Sequence, residues 1–273
     1  MSRLPVSVVV NTYQAERYLD LVLQAVADFV AEIVVCDMHS TDRTVEIAKQ
    51  YGAKLVFHDQ LGYADPARQF AVAQSSQPWV FILDADEVVP KTLWPEISKL
   101  VDSGQYDVIA FHWLNVMFGQ PMIGAGFGPE RDVHPRLFKR EKVTLLPVVH
   151  AYLQPDPGAT AFTVPYTPET CIWHFTYLDA SDFIARANKY TSLEAERESL
   201  KLNPVKAMRK LVRDFAKRMV KQGGSKLGWQ GFSIALLMLA NDAMKFAKIL
   251  ERQNGATRQT VEAQHRNQAE KLL

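Results

Sequence analysis

The chain has 273 residues, enough for one large domain or for one domain with an appendage. Its 48% hydrophobic and 22% charged content is that of an ordinary soluble globular protein, and a formal net charge of +1 gives no overall attraction to nucleic acid. No stretch reaches the roughly 18–20 apolar residues of a membrane span; the longest candidate, Ile234 to Ala240, stops at Asn241-Asp242.

Val6 to Val10 is a β-branched run and predicts the first strand. It leads straight into the loop Asn11-Thr12-Tyr13, so no signal-type apolar region is expected at this end. Leu19, Val22, Leu23, Val26 and Val30 fall at helical spacing and predict a helix over 16–30. Glu32 to Cys36 predicts a second strand ending in Asp37. Ser40 or Thr41 is placed to cap a helix over 42–51, which Gly52 would end. A third strand over 54–57 and a helix over 66–73 lead to the apolar run Trp79 to Leu83. Strand and helix alternate to this point, which argues for an α/β, mostly parallel sheet flanked by helices.

The run Trp79 to Leu83 suits a strand covered on both faces, and it ends abruptly in Asp84-Ala85-Asp86-Glu87. Ligands of open α/β sheets bind beyond the carboxyl ends of the strands. Two carboxylates one residue apart at such an end suit a hard divalent cation shared with a substrate's phosphates, although an acidic solvated turn would look the same. Asp37, at the end of strand two, can accept hydrogen bonds from a ribose or base, or can serve as a turn residue before a helix. The first turn has no Gly-x-Gly-x-x-Gly and the chain no Gly-x-x-x-x-Gly-Lys-Ser/Thr, so dinucleotide and Walker-type phosphate sites are disfavoured.

The set Val8-Val9-Val10-Asn11-Thr12-Tyr13, Glu32 to Asp37, Ser40-Thr41-Asp42-Arg43-Thr44, Gly62-Tyr63, Arg68-Gln69-Phe70-Ala71 and Leu83 to Glu87 resembles family-2 glycosyltransferases of the GT-A, Rossmann-like fold. It is most similar to their lipopolysaccharide-core β-1,4-glucosyltransferase-like branch. Pro129-Glu130-Arg131, Arg136-Leu137-Phe138, Val149-His150, His174, Asn188-Lys189-Tyr190 and Gly228-Trp229 extend the resemblance over most of the chain. It implies that Asp37 contacts the base or ribose and that Asn11, Thr12 and Tyr13 line the same pocket. Arg68 falls in one of the matching motifs and joins the expected donor site. Asp84, Ala85 and Asp86 would bracket the diphosphate, with Asp86, and Asp84 beside it, touching Mg²⁺ or Mn²⁺. His150 matches a landmark, and its imidazole could reach that metal or a phosphate. Two departures matter. His39 stands where the branch usually has Gly before the Ser-Thr-Asp, which would narrow the pocket or add a donor to the diphosphate. Ala151 stands where the branch has Glu, which removes the expected carboxylate near the acceptor.

Residues 107–113 predict a further strand, and the glycines from Gly119 to Gly128 an acceptor-side loop. Glu130 and Asp132 follow it; either could serve as the catalytic base, or pair with Arg131 or Arg136. His134 and His174 are scattered and fit structural roles as well as ligand roles. Helical patterns follow over 182–200, 205–221 and 230–250, with a polar end over 251–273. Residues 201–273 carry 15 Lys and Arg against 5 Asp and Glu, whereas residues 1–200 carry 16 against 25. The helix over 205–221 rings an apolar face with Lys206, Arg209, Lys210, Arg213, Lys217, Arg218 and Lys221. Such a helix suits an anionic membrane surface or glycolipid; it equally suits a helix packed on the domain with a solvated basic face. The two cysteines, Cys36 and Cys171, form no framework or zinc motif, which fits a reducing cytoplasm.

These features give a catalytic domain over 1–180 and a basic helical region over 181–273 packed on it. The implied activity is inverting transfer of a hexose from a nucleotide sugar, with a UDP-sugar as expected donor, to a bacterial surface glycan or lipid-linked saccharide. The alternative, given Ala151, is an inactive nucleotide-sugar-binding module; a nucleotidyltransferase is disfavoured because no Gly-rich basic loop follows the first strand. Expected partners are the donor and the acceptor, with membrane contact through 205–221 and a homodimer left open. The expected location is cytoplasmic, soluble or against the inner face of the membrane.

Overall fold

The computed structural model describes residues 3–60, 65–146, 153–198 and 201–273. The chain divides into two compact units, one of Met1–Val116 with Gly128–Thr176, the other of Met117–Phe127 with Tyr177–Leu273.

The first unit is built around β1 (Leu4–Thr12), which lies parallel to β2 (Val30–Asp37) on one side and to β4 (Trp79–Asp84) on the other. β3 (Lys54–Phe57) extends the parallel set beyond β2, and the crossovers carry α1 (Leu19–Gln24), α2 (Thr44–Gln50) and α3 (Asp65–Ala73). Successive strand residues face opposite sides, and both sides are covered. Val8, Val10, Phe81 and Leu83 join one core with Leu19, Val22 and Leu23 of α1. Val9, Cys36, Val80 and Ile82 join another with Ala67, Ala71 and Val72 of α3. Burying each such Val or Leu contributes about 1.5–3 kcal/mol, which explains why these strands are continuous apolar runs rather than alternating ones.

Beyond β4 the chain continues through β5 (Glu87–Val88), α4 (Trp94–Ser103), β6 (Val108–Met117), β7 (Gln120–Pro121) and β8 (Val133–Lys139). β8 enters the sheet antiparallel between β4 and β6. β9 (Val143–Leu145) and β10 (Leu153–Pro155) form a separate antiparallel pair, and β11 (Ala161–Thr163) lies parallel to β6. β12 (Ile172–Phe175) runs parallel to β6 and antiparallel to β5, giving the path β3-β2-β1-β4-β8-β6-β12-β5. This is the α/β, mostly parallel sheet that the sequence implied. The register sets Asn11 beside Asp84 and Thr12 beside Asp37, so the carboxyl ends of β1, β2 and β4 share one edge.

Two local expectations fail. The helix expected over 16–30 stops at Gln24: Ala25 to Phe29 turn, Phe29 stacks on Trp94 at 4.7 Å, and Val30 is already paired with Leu4 in the sheet. Strand pairing overrides helical spacing here. Neither Ser40 nor Thr41 caps α2. Both hydroxyls are used elsewhere, on Asp37 and Gln14, while Asp42 accepts from the Thr44 amide at 3.0 Å.

The second unit contains α5 (Ala180–Arg197), α6 (Pro204–Ala216) with a π-helical turn Lys217–Lys221, α7 (Gly228–Gln253) and α8 (Arg258–Glu270). α5 begins at Asp179, whose carboxylate accepts from the Asp182 amide. It is tied to α7 by Lys245–Glu194 at 2.8 Å and by Lys248, whose ammonium donates to the Asn188 carbonyl and the Thr191 hydroxyl. The glycine-rich loop belongs to this unit: the Ala125 amide donates to the Gln222 carbonyl at 2.7 Å, and Arg218 to the Ala125 carbonyl at 2.9 Å. The polar end forms α8, started by a Thr257–Thr260 capping box and burying no residue.

Candidate active site

The edge formed by β1 and β2 is closed by one carboxylate. Asp37 is fully buried and accepts from the Thr12 hydroxyl (2.9 Å), the Ser40 amide (2.8 Å) and the Ser40 hydroxyl (2.6 Å). Gln14 then bonds Ser40 and Thr41, and Ala15 bonds Thr44, so the loops after β1 and β2 are laced together. Asp37 therefore ties the two loops to the strand ends. Tyr13, in the first of these loops, is exposed. His39 is exposed with φ +60°, the left-handed region that glycine enters without strain, which gives a backbone reason for the glycine of the related branch. Its ring stacks on Phe57 and its Nε2 lies 3.5 Å from Asp59. Asn11 is buried beside Asp84, and neither polar atom of its amide has a hydrogen-bond partner among the described residues. An unpaired buried amide costs on the order of 1–3 kcal/mol, so this donor and acceptor suit a ligand at the strand ends.

Asp84 lies between two guanidinium groups. Arg68 pairs with its Oδ1, and Arg136 with its Oδ2 at 2.9 Å. Arg136, almost fully buried on β8, also holds Glu87 Oε1 at 2.5 Å, while Glu87 Oε2 accepts from the Asp84 amide at 3.0 Å. Burial pushes the Asp84 carboxyl up, but Arg68 and Arg136 outweigh it and hold the group well below the ordinary carboxylate range. Glu87 goes the other way. Its complete burial raises it well above the usual value, Arg136 offsets only part of this, and the Asp84 charge adds to the rise. Both Asp84 oxygens thus accept from arginines, which anchor the carboxylate expected beside the metal. Ala85 packs against the core of the first unit.

Asp86 begins a second constellation. Its Oδ1 lies 3.6 Å from His174 Nε2 on β12. His174 Nδ1 lies 2.8 Å from Asn115 Oδ1 on β6; Asn115 Nδ2 donates to Asp132 Oδ2 at 2.5 Å, and Asp132 Oδ1 meets His134 Nε2 at 2.7 Å. The chain of contacts fixes the protons. A carboxylate only accepts, so the Asn115 NH₂ must face Asp132 and its carbonyl oxygen must face His174. Nδ1 of His174 is then the donor to Asn115, and Nε2 is the ring nitrogen that faces Asp86. Burial pushes Asp132 up, but its bonds to His134 and Asn115 bring it below the ordinary value. Trp113 lies against this group, stacked on His134 at 3.8 Å, tilted on His174 at 4.7 Å, and beneath the Arg136 guanidinium at 4.5 Å.

Asp132 therefore joins Asp84 and Asp86 within the first unit, whereas Glu130 is exposed and makes no ion pair among the described residues. His150, Ala151, Gly62 and Tyr63 lie outside the described residues. Among the described residues no group of three or more His, Cys, Asp or Glu could enclose a metal ion. The Asp86–His174 pair nevertheless fits a divalent cation that takes its remaining oxygens from a diphosphate. Arg136, Asn115 and His174 were not singled out as donor-site residues from sequence. A signal was present on β6, where Trp113 and Asn115 sit two apart and so share a face; on β8 a bulge at Arg136 breaks the alternation.

Residues 7–120 match the family model for glycosyl transferase family 2. An uncharacterized glycosyltransferase of Rickettsia bellii (strain RML369-C) is 23% identical over 254 residues, 90% of this chain and 86% of that protein. The lipopolysaccharide core biosynthesis glycosyltransferase LpsC of Rhizobium meliloti (strain 1021) is 28% identical over 206 residues, 72% of each. Among solved structures, S. aureus TarS 1-349 in complex with UDP-GlcNAc aligns over 93% of both chains with 16% identity and a TM-score of 0.47. The family's model spans the strands that end in Asp37 and Asp84, and relatives named as glycosyltransferases align along most of the chain: residues 7–120 carry a glycosyl transferase family 2 domain, and the protein is a glycosyltransferase.

Proposed function

We propose that the protein transfers a hexose from a UDP-sugar to a hydroxyl of a bacterial surface glycan or lipid-linked saccharide, with inversion and with the help of Mg²⁺ or Mn²⁺. The observation that carries this reading is that Asp86 Oδ1 and His174 Nε2 come within 3.6 Å of each other at the strand ends while Asn115 holds the other ring nitrogen. These two residues would hold the cation, which supplies positive charge against the departing diphosphate. Asn11 is the group suited to the base or ribose, and Asp37 keeps the two loops in place around it. Asp132 would take the proton as the acceptor oxygen bonds to the anomeric carbon and the carbon–diphosphate bond breaks. A single displacement of this kind inverts the centre. Bonds from Asn115 and His134 hold Asp132 ionised and oriented. The lipopolysaccharide-core relative supports a surface-glycan acceptor.

Isothermal titration with UDP tests the donor site. Wild-type protein is expected to bind UDP with Mn²⁺ and to bind at least tenfold more weakly without it. Asp86→Ala and His174→Ala are each expected to remove the metal dependence. Absence of UDP binding in both conditions would sink the UDP-sugar assignment.

A further inference from the structure

An amphipathic helix normally buries its apolar stripe. α6 buries Ala207 and Leu211 but leaves Val205, Met208 and Val212, one turn apart on a neighbouring stripe, 60–63% exposed. α7 repeats the arrangement with Trp229, Phe232 and Leu236, 49–68% exposed at the same spacing. The two stripes adjoin. Phe215 of α6 meets Phe232 edge to face at 6.0 Å, and Lys210 reaches Asp242 of α7 at 3.0 Å, so the helices run antiparallel with their exposed apolar rows on one side. Lys206, Arg209, Lys217 and Lys221 are exposed beside this surface and enter no ion pair among the described residues. Asp214, the acid on α6, is already held by Lys210 at 2.7 Å and Arg213 at 2.9 Å.

We propose that this two-helix face docks on an anionic phospholipid bilayer. Charge selects the occupant. A second copy seated on the same face would bring the two sets of unpaired cations together, and a neutral apolar partner would leave them without a function. A bilayer containing acidic lipids accepts both features, with the aliphatic rows at the acyl boundary, Trp229 at the headgroup level and the cations on lipid phosphates. Among the described residues no helix is long and apolar enough to cross a membrane, so the face lies on the surface rather than through it. The proposal rests on the second unit alone, so it and the donor-site reading can fail separately.

The test is flotation of the full-length protein with phosphatidylcholine vesicles, with and without phosphatidylglycerol. The protein is expected to float with the anionic vesicles only. It should be released as salt rises from about 0.1 to 1 M, where the Debye length falls from about 10 to 3 Å. Lys206→Gln, Arg209→Gln and Lys217→Gln together should lower partitioning on the order of a hundredfold, roughly fivefold per charge. Trp229→Ser with Phe232→Ser should abolish flotation while leaving the circular dichroism spectrum unchanged. If either variant misfolds, lipid and salt dependence of the wild-type protein still decide the matter. The proposal is overturned if wild type ignores phosphatidylglycerol or if the Trp229/Phe232 variant floats as well as wild type. It is also overturned if the protein is a dimer in solution that this variant dissociates, because a second copy would then cover the face.

Discussion

Asn115 has no charge and no place in any sequence motif, yet its amide decides what His174 can do. Because Nδ2 is committed to Asp132, Oδ1 takes the His174 Nδ1 proton, which leaves Nε2 as the nitrogen that faces Asp86 and that the proposed cation would use. Partners that orient a ligating histidine typically account for 10–100-fold in metal affinity. Asn115→Leu should therefore weaken Mn²⁺ binding by about that factor and shift the His174 ¹⁵N resonances toward the other tautomer. A variant that keeps wild-type tautomer and affinity would mean that Asn115 only fills space. Asp84 teaches a related point. The resemblance put Asp86 foremost at the metal with Asp84 beside it; in the fold Arg68 and Arg136 pair with both oxygens of Asp84, and Asp86 faces His174. No spacing rule separates those roles, because the arginines arrive from α3 and from β8.

At the scale of elements, apolar runs were legible because burial on both faces leaves no polar alternation to confuse the pattern. The strands over 6–10, 32–37, 54–57 and 79–83 all lie within strands of the sheet. The helix expected over 16–30 was cut short because Val30 is needed beside Leu4. Close approach of the Gly223–Leu227 turn to α7 was invisible in sequence. A Cβ on Gly231 would stand 1.9 Å from the Gly224 carbonyl oxygen, a backbone atom with nowhere to move. Gly231→Ala should then cost about 1–3 kcal/mol, read as a lowered thermal midpoint for the second unit. An unchanged midpoint would show that the turn can retreat at no cost.

For the whole molecule, the buried Asp84–Arg136–Glu87 group links stability to pH in two opposite senses. Asp84 is depressed in the fold, so its stabilisation is complete above the unfolded value near 3.9 and is lost as pH falls toward its lower folded value. Glu87 is raised, so its contribution is complete below about 4.3 and is lost as pH rises through the folded value. Urea unfolding from mildly acidic to neutral pH should therefore show wild type losing stability relative to Glu87→Gln as pH rises. Parallel curves would mean that Glu87 is ionised throughout.

The sequence by itself determined the α/β class, the strand-end acids Asp37, Asp84 and Asp86, and a basic C-terminal region. Each of these follows from local periodicity or from residues close together in the chain. Only the tertiary structure decided which acid is bound by arginine and which faces a histidine, because that depends on β8 and β12 entering the sheet from distant sequence. The exposed rows of α6 and α7 are of the same kind: hydrophobic spacing marks a face, but only packing decides whether that face meets the core or is left to meet something else.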